Sequence, residues 1–177
     1  MATWVVLLRG VNVGGANRLP MADLRALMTS LGHAGVVTYI QSGNAVMTSQ
    51  RTDRRALAAE ICAAIDDAHG LSVSAVLRTP AELRSALASY PFADDAAGSR
   101  LITFLADVPT AADAARLEPE RFLPDRFELR GSDLHLLYPN GAGRSKMTLD
   151  YFEKRLRVRG TARNLNTVTK LIELSAG

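Results

Sequence analysis

The stretch VVTYIQSGNAVMTS, residues 36–49, decides the fold. Two short runs rich in β-branched residues, 36–40 and 45–49, flank the polar segment Gln-Ser-Gly-Asn at 41–44. Runs of this length, separated by small residues and a glycine, are typical of two strands joined by a tight turn. The stretch therefore predicts a β-hairpin.

On each side of this hairpin the sequence predicts a helix next to the hairpin and a strand beyond that helix. Apolar residues at helical spacing precede it at Met21, Leu24, Met28 and Leu31, and follow it at Leu57, Ile61, Ile65 and Ala68. Apolar runs at 4–8 and 71–77 predict the two outer strands. The order β-α-β-β-α-β is the connectivity of a ferredoxin-like half, in which two helices cover one face of a four-stranded sheet.

The rest of the chain predicts a second, similar set of elements. Residues 79–82, Thr-Pro-Ala-Glu, form a capping box that starts a connecting helix. Later segments predict a strand at 101–106, a helix at 110–117, a hairpin of 126–130 with 134–138, and helices at 147–156 and 164–174. The predicted fold class is α+β, with a β-α-β-β-α-β half and then a β-α-β-β half plus two C-terminal helices. We expect the two ferredoxin-like halves to comprise residues 1–90 and 91–177, with a loop at 90–99.

Composition argues against several classes of protein. The single cysteine, Cys62, excludes an internal disulfide, and the three histidines show no metal-ligand spacing, so we expect no metal site. The sequence identifies no cofactor. The apolar run at 4–8 is too short to span a bilayer and has no charged region before it. We therefore expect a cytoplasmic protein without a membrane partner.

A glycine-rich segment at residues 9–17 is the first candidate for ligand binding. It predicts a loop between the first strand and the first helix, where the backbone N–H groups of Gly14 and Gly15 can approach an anion. Its spacing matches neither the dinucleotide-binding fingerprint nor the phosphate loop. The alternative is structural: the glycines permit positive φ, while Asn12 and Asn17 bond their own backbone.

The hairpin tip is the second candidate. Gln41 and Asn44 can present amide groups there for hydrogen bonds to a ligand. The alternative is a turn whose residues serve only its backbone conformation.

An excess of basic residues in the C-terminal quarter gives the third candidate. Residues 144–170 hold eight Lys or Arg against two acidic residues, whereas the preceding part holds thirteen against fifteen. Two polar segments here, 139–146 and 159–164, are expected to open the last two helices. The excess indicates a phosphate-bearing partner, although a solvated basic helix face explains it too. Because Ser145 precedes Lys146, the order of a nucleotide-binding loop is absent and ATP hydrolysis is not indicated.

Four segments taken together resemble a known family. They are RGVNVGG at 9–15, TYIQSGN at 38–44, SKMT at 145–148 and TARNLNTV at 161–168. In this order they resemble a widespread bacterial family of uncharacterised conserved proteins that consist of a domain of unknown function. The resemblance implies an α+β fold of two ferredoxin-like halves. It implies no reaction, cofactor or partner, so no catalytic residue is carried over.

The favoured hypothesis is a small anionic or phosphorylated ligand bound between the glycine-rich and basic loops. Arg9, Lys146 and Arg163 would pair with the anion. Hydrogen bonds would come from the other candidate residues, which are Asn12, Gly14, Gly15, Asn17, Gln41, Asn44, Ser145, Asn164 and Asn166. Whether the protein is an enzyme stays open, because these motifs offer hydroxyl groups but neither a histidine nor a carboxylate.

Two other functions compete with this hypothesis. A single-stranded nucleic-acid-binding module can be built on a ferredoxin-like sheet that displays aromatic side chains. Only 6% of the residues are aromatic, which argues against such a module. The other competitor is a structural or protein-interaction role through exposed sheet edges, for which the sequence identifies neither the partner nor the oligomeric state.

Overall fold

The structure is a computed structural model that describes residues 1–92 and 98–177. The chain divides into two units, Met1–Arg84 with Thr169–Gly177, and Ser85–Val168. The loop predicted at 90–99 lies partly outside the described residues.

The first unit has the element order predicted for a ferredoxin-like half. Its elements are β1 Ala2–Arg9, α1 Met21–Ser30, β2 Ala34–Tyr39, β3 Asn44–Ser49, α2 Arg54–His69 and β4 Ser74–Arg78, followed by α3 Pro80–Ala88. The four strands form an antiparallel sheet in the order β2-β3-β1-β4. The hairpin predicted at residues 36–49 is formed by β2 and β3, with Tyr39 opposite Asn44 at its closed end.

Side-chain caps explain where α2 and α3 begin. Asp53 Oδ1 accepts the backbone N–H groups of Arg55 and Ala56, each at 3.0 Å, and so satisfies donors that the first helical turn leaves unpaired. At α3, the Glu82 N–H donates to Thr79 Oγ1 at 3.2 Å, and the Thr79 N–H donates to the Glu82 carboxylate at 2.7 Å. The capping box predicted at residues 79–82 is therefore present.

The strand β1 is buried on both of its faces. Its residues Trp4, Val6 and Leu8 pack in a core with α1 and α2, to which the helices contribute Leu24, Met28, Leu57, Ile61 and Ile65. Successive side chains of a strand point to opposite faces, so Val5 and Leu7 lie on the face without helices. Both are fully buried. Burial on both faces is the reason that this strand has a continuous apolar run instead of an alternating pattern.

The second unit repeats the architecture of the first. Its elements are β5 Ser99–Leu105, α4 Ala111–Ala114, a 3-10 turn at Pro119–Phe122, β6 Arg126–Arg130, β7 Asp133–Tyr138, α5 Leu149–Leu156 and β8 Gly160–Asn164. The last helix, α6 Leu165–Leu174, begins in this unit, and its residues from Thr169 onward belong to the first unit. The strands form an antiparallel sheet in the order β6-β7-β5-β8. Two ferredoxin-like halves in an α+β fold are thus confirmed. Within residues 1–92 and 98–177, no helix has the length and apolarity needed to cross a membrane.

The strand β8 corrects one detail of the sequence analysis, which assigned residues 159–164 to a polar helix entrance. In the structure Gly160–Asn164 pairs antiparallel with β5, so the second half also has the order β-α-β-β-α-β. The strand was missed because its small residues and the buried Arg163 hide the apolar alternation of a strand. Gly160 permits close packing here, since a Cβ at this position would lie 2.9 Å from Leu105 Cδ2.

The core of the second unit lies between its sheet and α5. The strands contribute Leu105, Leu134 and Leu136, and the helix contributes Phe152 and Leu156. The helix-free face of this sheet carries buried residues as well, namely Ile102, Phe104, His135 and Leu137. The sheet therefore displays no open aromatic surface at these central positions.

Candidate functional site

The glycine-rich segment forms a loop that the side chain of Asn12 ties to the hairpin tip. Asn12 Nδ2 donates to the backbone oxygens of Leu19 at 2.9 Å and Gln41 at 2.7 Å, and Asn12 Oδ1 accepts the Leu19 N–H at 2.8 Å. Asn17 Nδ2 donates to Gly10 O at 2.9 Å. The fold thus brings the loop and the hairpin tip together, and both amide groups bond the backbone of the protein itself.

The hairpin tip places one predicted amide inside the protein and the other outside. Asn44 is fully buried, and its Nδ2 donates to Tyr39 O at 3.1 Å and to Ser42 Oγ at 2.8 Å. Gln41 is exposed. Of the two predicted amide groups at this turn, that of Gln41 therefore faces solvent and that of Asn44 does not.

The exposed residues of the glycine-rich loop include Gly10 and the run 13–17, in which Gly14 and Gly15 lie. Both glycines have positive φ, 57° for Gly14 and 80° for Gly15. Their N–H groups donate to no acceptor in the part of the chain that the structure describes. Arg9, at the end of β1, is half-buried and lies opposite Ser74 of β4.

Three predicted residues near the C-terminus lie in β8 and α6. Arg163 is only 7% exposed, and its guanidinium donates to Thr161 Oγ1 at 2.7 Å and to Ala162 O at 2.8 Å. Burial lowers the pKa of Arg163 to about 10. Asn164 caps the start of α6, because its Oδ1 accepts the Thr167 N–H at 2.8 Å. Asn166 is exposed on the first turn of that helix.

The remaining two predicted residues, Ser145 and Lys146, line a cleft of about 680 Å³ in the second unit. We call it the basic cleft, and its walls are formed by Arg121, Phe122, Leu123, Pro124, Asp125, Arg144, Ser145, Lys146, Thr148, Asp150, Tyr151 and Lys154. One wall is thus the segment before β6, and the other is the loop after β7 with the first turns of α5. Its size is that of a pocket for a small molecule.

The motif at 145–148 is anchored in this cleft by its third residue. Met147 is 1% exposed and packs in the core of the second unit. Ser145 Oγ accepts the Met147 N–H at 2.9 Å and donates to the Asp125 carboxylate on the opposite wall. Lys146 is exposed between these two fixed residues. Its charged group is therefore attached to a rigid backbone at the cleft.

Two hydroxyl groups fix the neighbouring backbone. Tyr138 Oη donates to Met147 O at 2.8 Å, and burial, with the negative charge of Asp125, raises the pKa of Tyr138 to about 12. The hydroxyl consequently stays protonated at neutral pH. Thr148 Oγ1 accepts the Tyr151 N–H at 3.3 Å and caps α5.

The charges of the basic cleft are only partly compensated. Lys154 pairs with Asp150 at 2.9 Å, and the hydrogen bond and charge of Asp150 raise the pKa of Lys154. Arg121 pairs at 2.9 Å with Glu118, beside the cleft. Arg144 and Lys146 are exposed, and neither forms an ion pair or side-chain hydrogen bond within the described residues. The cleft therefore presents two unpaired cations to solvent, and such groups bind phosphates and carboxylates.

Sequence reasoning found one wall of this cleft and missed the other. Arg144, Lys146 and Lys154 belong to the basic excess at 144–170, which was the available signal. Arg121 and Asp125 lie about twenty residues earlier in the chain, and no local pattern marks them. The two walls meet only because the β6-β7 hairpin returns the chain to the same end of the sheet.

Comparison with solved structures finds a similar fold. A conserved bacterial protein from Streptococcus pneumoniae superposes with a TM-score of 0.69 at 22% sequence identity, over 98% of this chain and 98% of that chain. At this identity the likeness concerns the fold alone. No protein with a curated description matches the sequence.

Comparison with family models confirms the resemblance noted in the sequence. The model described as "Protein of unknown function (DUF1697)" matches residues 1–135, which include the glycine-rich loop, the hairpin and the first wall of the basic cleft. The second wall, from Arg144 onward, follows the matched range. Since the match spans well over half of the sequence, the chain belongs to the DUF1697 family of proteins of unknown function.

Proposed function

We propose that this protein binds a small anionic or phosphorylated ligand and that the basic cleft holds the anion. The observation that carries the proposal is the pair of exposed cations, Arg144 and Lys146, which line the cleft and have no partner among the described residues. A guanidinium and an ammonium group side by side can bind one phosphate, the first through paired N–H donors and the second as a point charge.

The backbone around these cations supports a preformed site. Met147 is buried on one side of Lys146, and the Ser145 hydroxyl is bonded to Asp125 on the other. Little backbone entropy is therefore lost when an anion binds, and a small entropy loss favours tight binding. The carboxylates Asp125 and Asp150 also line the cleft, and they can accept hydrogen bonds from hydroxyl groups of the same ligand.

The glycine-rich loop belongs to the other unit and does not line the basic cleft. The amide groups of Asn12, Asn17 and Asn44 already bond the backbone, so we assign them a structural role. The exposed N–H groups of Gly14 and Gly15 are the donors that the loop can still offer to an anion. The other residues that the hypothesis included, Arg9, Gln41, Arg163, Asn164 and Asn166, are not needed for the anion contact that we propose.

The competing nucleic-acid hypothesis has less support. A single strand that stacks on a ferredoxin-like sheet needs exposed aromatic side chains on the helix-free face. Val5 and Leu7 of the first sheet, and Ile102 and Phe104 of the second, lie on those faces and are fully buried. We therefore prefer a small ligand in the basic cleft.

Thermal-shift and calorimetric titration with inorganic phosphate, pyrophosphate and sugar phosphates test the proposal. We expect at least one of these anions to raise the melting temperature of the wild-type protein, because a ligand that binds only the folded state stabilises it. Lys146→Ala and Arg144→Ala should each weaken binding about tenfold, as expected for the loss of one charge-assisted hydrogen bond.

The matched control is Arg84→Ala, which removes an exposed cation from α3, outside the cleft. This variant should bind the anion as the wild type does. If none of the anions shifts the melting temperature, or if Arg84→Ala weakens binding as much as Lys146→Ala, the cleft is not the anion site.

A further inference from the structure

We infer that the ligand of the basic cleft is a nucleoside monophosphate, with its phosphate at Arg144 and Lys146 and its base against the wall at Arg121 and Leu123. This inference rests on the proposed function and adds the chemical class of the ligand. It follows from the volume of the cleft, from the surface of its first wall and from its balance of charges.

The cleft is much larger than a phosphate group. Its volume is about 680 Å³, whereas a water molecule occupies roughly 30 Å³ in the liquid, and a phosphate displaces only a few waters. Arg144 and Lys146 would hold the phosphate at the second wall. The organic part of the ligand would fill the rest of the cleft, so it must match the chemistry of the first wall, which is formed by residues 121–125.

A guanidinium group on the first wall is already positioned for stacking. Arg121 lies over the rings of both Phe122 and Tyr151, with 5.6 Å from its Cζ to each ring centroid. The two rings are themselves in edge contact, with centroids 4.7 Å apart. The ion pair with Glu118 holds Arg121 from a further direction, yet half of the Arg121 side chain is exposed. A fixed, planar and half-exposed guanidinium is a stacking surface for a nucleobase.

The residues that follow Arg121 make the same wall apolar. Leu123 is 63% exposed, one of the few large hydrophobic side chains of the described chain that face solvent, and Pro124 beside it is exposed too. A bare sugar phosphate has no apolar part to cover them. A base that stacks on Arg121 can cover Leu123 at the same time and remove its surface from water.

The charges of the cleft favour one phosphate over several. A phosphate monoester carries nearly two negative charges at neutral pH, which matches the two unpaired cations. Lys154 is already paired with Asp150, and Arg121 with Glu118. A second or third phosphate would extend toward Asp125 or Asp150 and be repelled by their carboxylates.

Isothermal titration calorimetry with adenosine monophosphate and ribose 5-phosphate tests the inference, because the two probes differ only in the base. We expect the nucleotide to bind about tenfold more tightly, as one stacked base provides. Arg121→Lys keeps the charge and loses the planar group, so it should remove most of this advantage and lower the affinity for ribose 5-phosphate much less. Lys146→Ala should weaken both probes equally.

Circular dichroism melting of each variant checks that the fold is intact. Equal affinity of the wild type for the two probes would overturn the inference and leave the anion site standing. An advantage of the nucleotide that survives both Arg121→Lys and Leu123→Ser would overturn it as well, as would tighter binding of adenosine triphosphate than of the monophosphate. If neither the probes nor inorganic phosphate binds, the proposed function fails together with the inference.

Discussion

At the scale of single residues, Gly43 in the hairpin turn is the most tightly constrained glycine of the first unit. Its φ is 81°, in the left-handed region that side chains rarely adopt. A Cβ at this position would lie 2.6 Å from Val11 Cγ2 and 2.7 Å from Leu8 Cβ. Gly14, by contrast, has positive φ but no heavy atom within 4 Å of such a Cβ. Substitution of Gly14 therefore measures the cost of backbone strain alone, whereas substitution of Gly43 measures the cost of strain and of a steric clash together.

Gly43→Ala is therefore expected to lower the free energy of unfolding by about 3 kcal/mol, the sum of backbone strain and overpacking. Gly14→Ala, which adds strain alone, should cost about 1 kcal/mol. Urea denaturation followed by circular dichroism measures both values. Equal losses in the two variants would show that Leu8 and Val11 move aside and that the clash is relieved.

At the scale of elements, the side chain of Asn12 connects the glycine-rich loop, the hairpin and the segment before α1. It makes three hydrogen bonds, two to Leu19 and one to Gln41, from a residue whose own φ is 54°. Asparagine tolerates this conformation better than other residues with a side chain. The position thus needs the amide group and the backbone tolerance at once.

Asn12→Ala should lower the free energy of unfolding by about 2 kcal/mol, because the backbone N–H and C=O of the buried Leu19, and the C=O of Gln41, lose their bonds. Asn17→Ala, which removes a single exposed bond, should cost less, about 1 kcal/mol. The measurement is again urea denaturation, with phosphate affinity determined on the same samples. A variant Asn12→Ala with full stability and lost phosphate binding would contradict the structural role and favour direct ligand contact.

The elements also show which parts of the fold a sequence can predict. The hairpin, the capping box at 79–82 and α1, α2 and α6 follow from turn residues, caps and apolar spacing, and all of these are local. The helix predicted at 110–117 spans only Ala111–Ala114, because it buries no residue and packing does not extend it. The strand β8 depends on pairing with β5, about sixty residues away. The basic cleft depends on the β6-β7 hairpin, which brings the loop after β7 back to the segment before β6. Contacts between distant segments leave no local pattern to detect.

At the scale of the whole molecule, acid is expected to destabilise the fold through a buried histidine. His135 is fully buried, and neither ring nitrogen has a hydrogen-bond partner among residues 1–92 and 98–177. Burial, then the positive charge of Arg130, lowers its pKa to about 4, although Glu128 opposes the shift. The unfolded chain therefore binds a proton below pH 6.5 that the folded chain does not bind until about pH 4. The contribution of neutral His135 to the stability of the fold is complete above pH 6.5. It is lost as the pH falls from 6.5 to about 4.

Between pH 7 and pH 5, we expect His135 to lower the free energy of unfolding by about 2 kcal/mol. His135→Leu, which removes the two unpaired nitrogens, should abolish that part of the pH dependence. His33 is buried as well, and its burial, followed by the charge of Arg51, lowers its pKa, although Glu60 opposes the shift. The free energy of unfolding of the double variant His33→Leu/His135→Leu should therefore depend still less on pH. Urea denaturation at several pH values measures the slopes. An unchanged slope in His135→Leu would contradict the assignment.

Because the first unit is discontinuous in sequence, the two units are not completed in the order in which their synthesis begins. Residues Met1–Arg84 belong to one unit with Thr169–Gly177, while Ser85–Val168 form the other. A ribosome releases the chain from its N-terminus, so the unit that is begun first is also the one that is completed last. The second unit has all of its residues before the first one does. The nascent first unit therefore stays incomplete until Thr169–Gly177 have been synthesised.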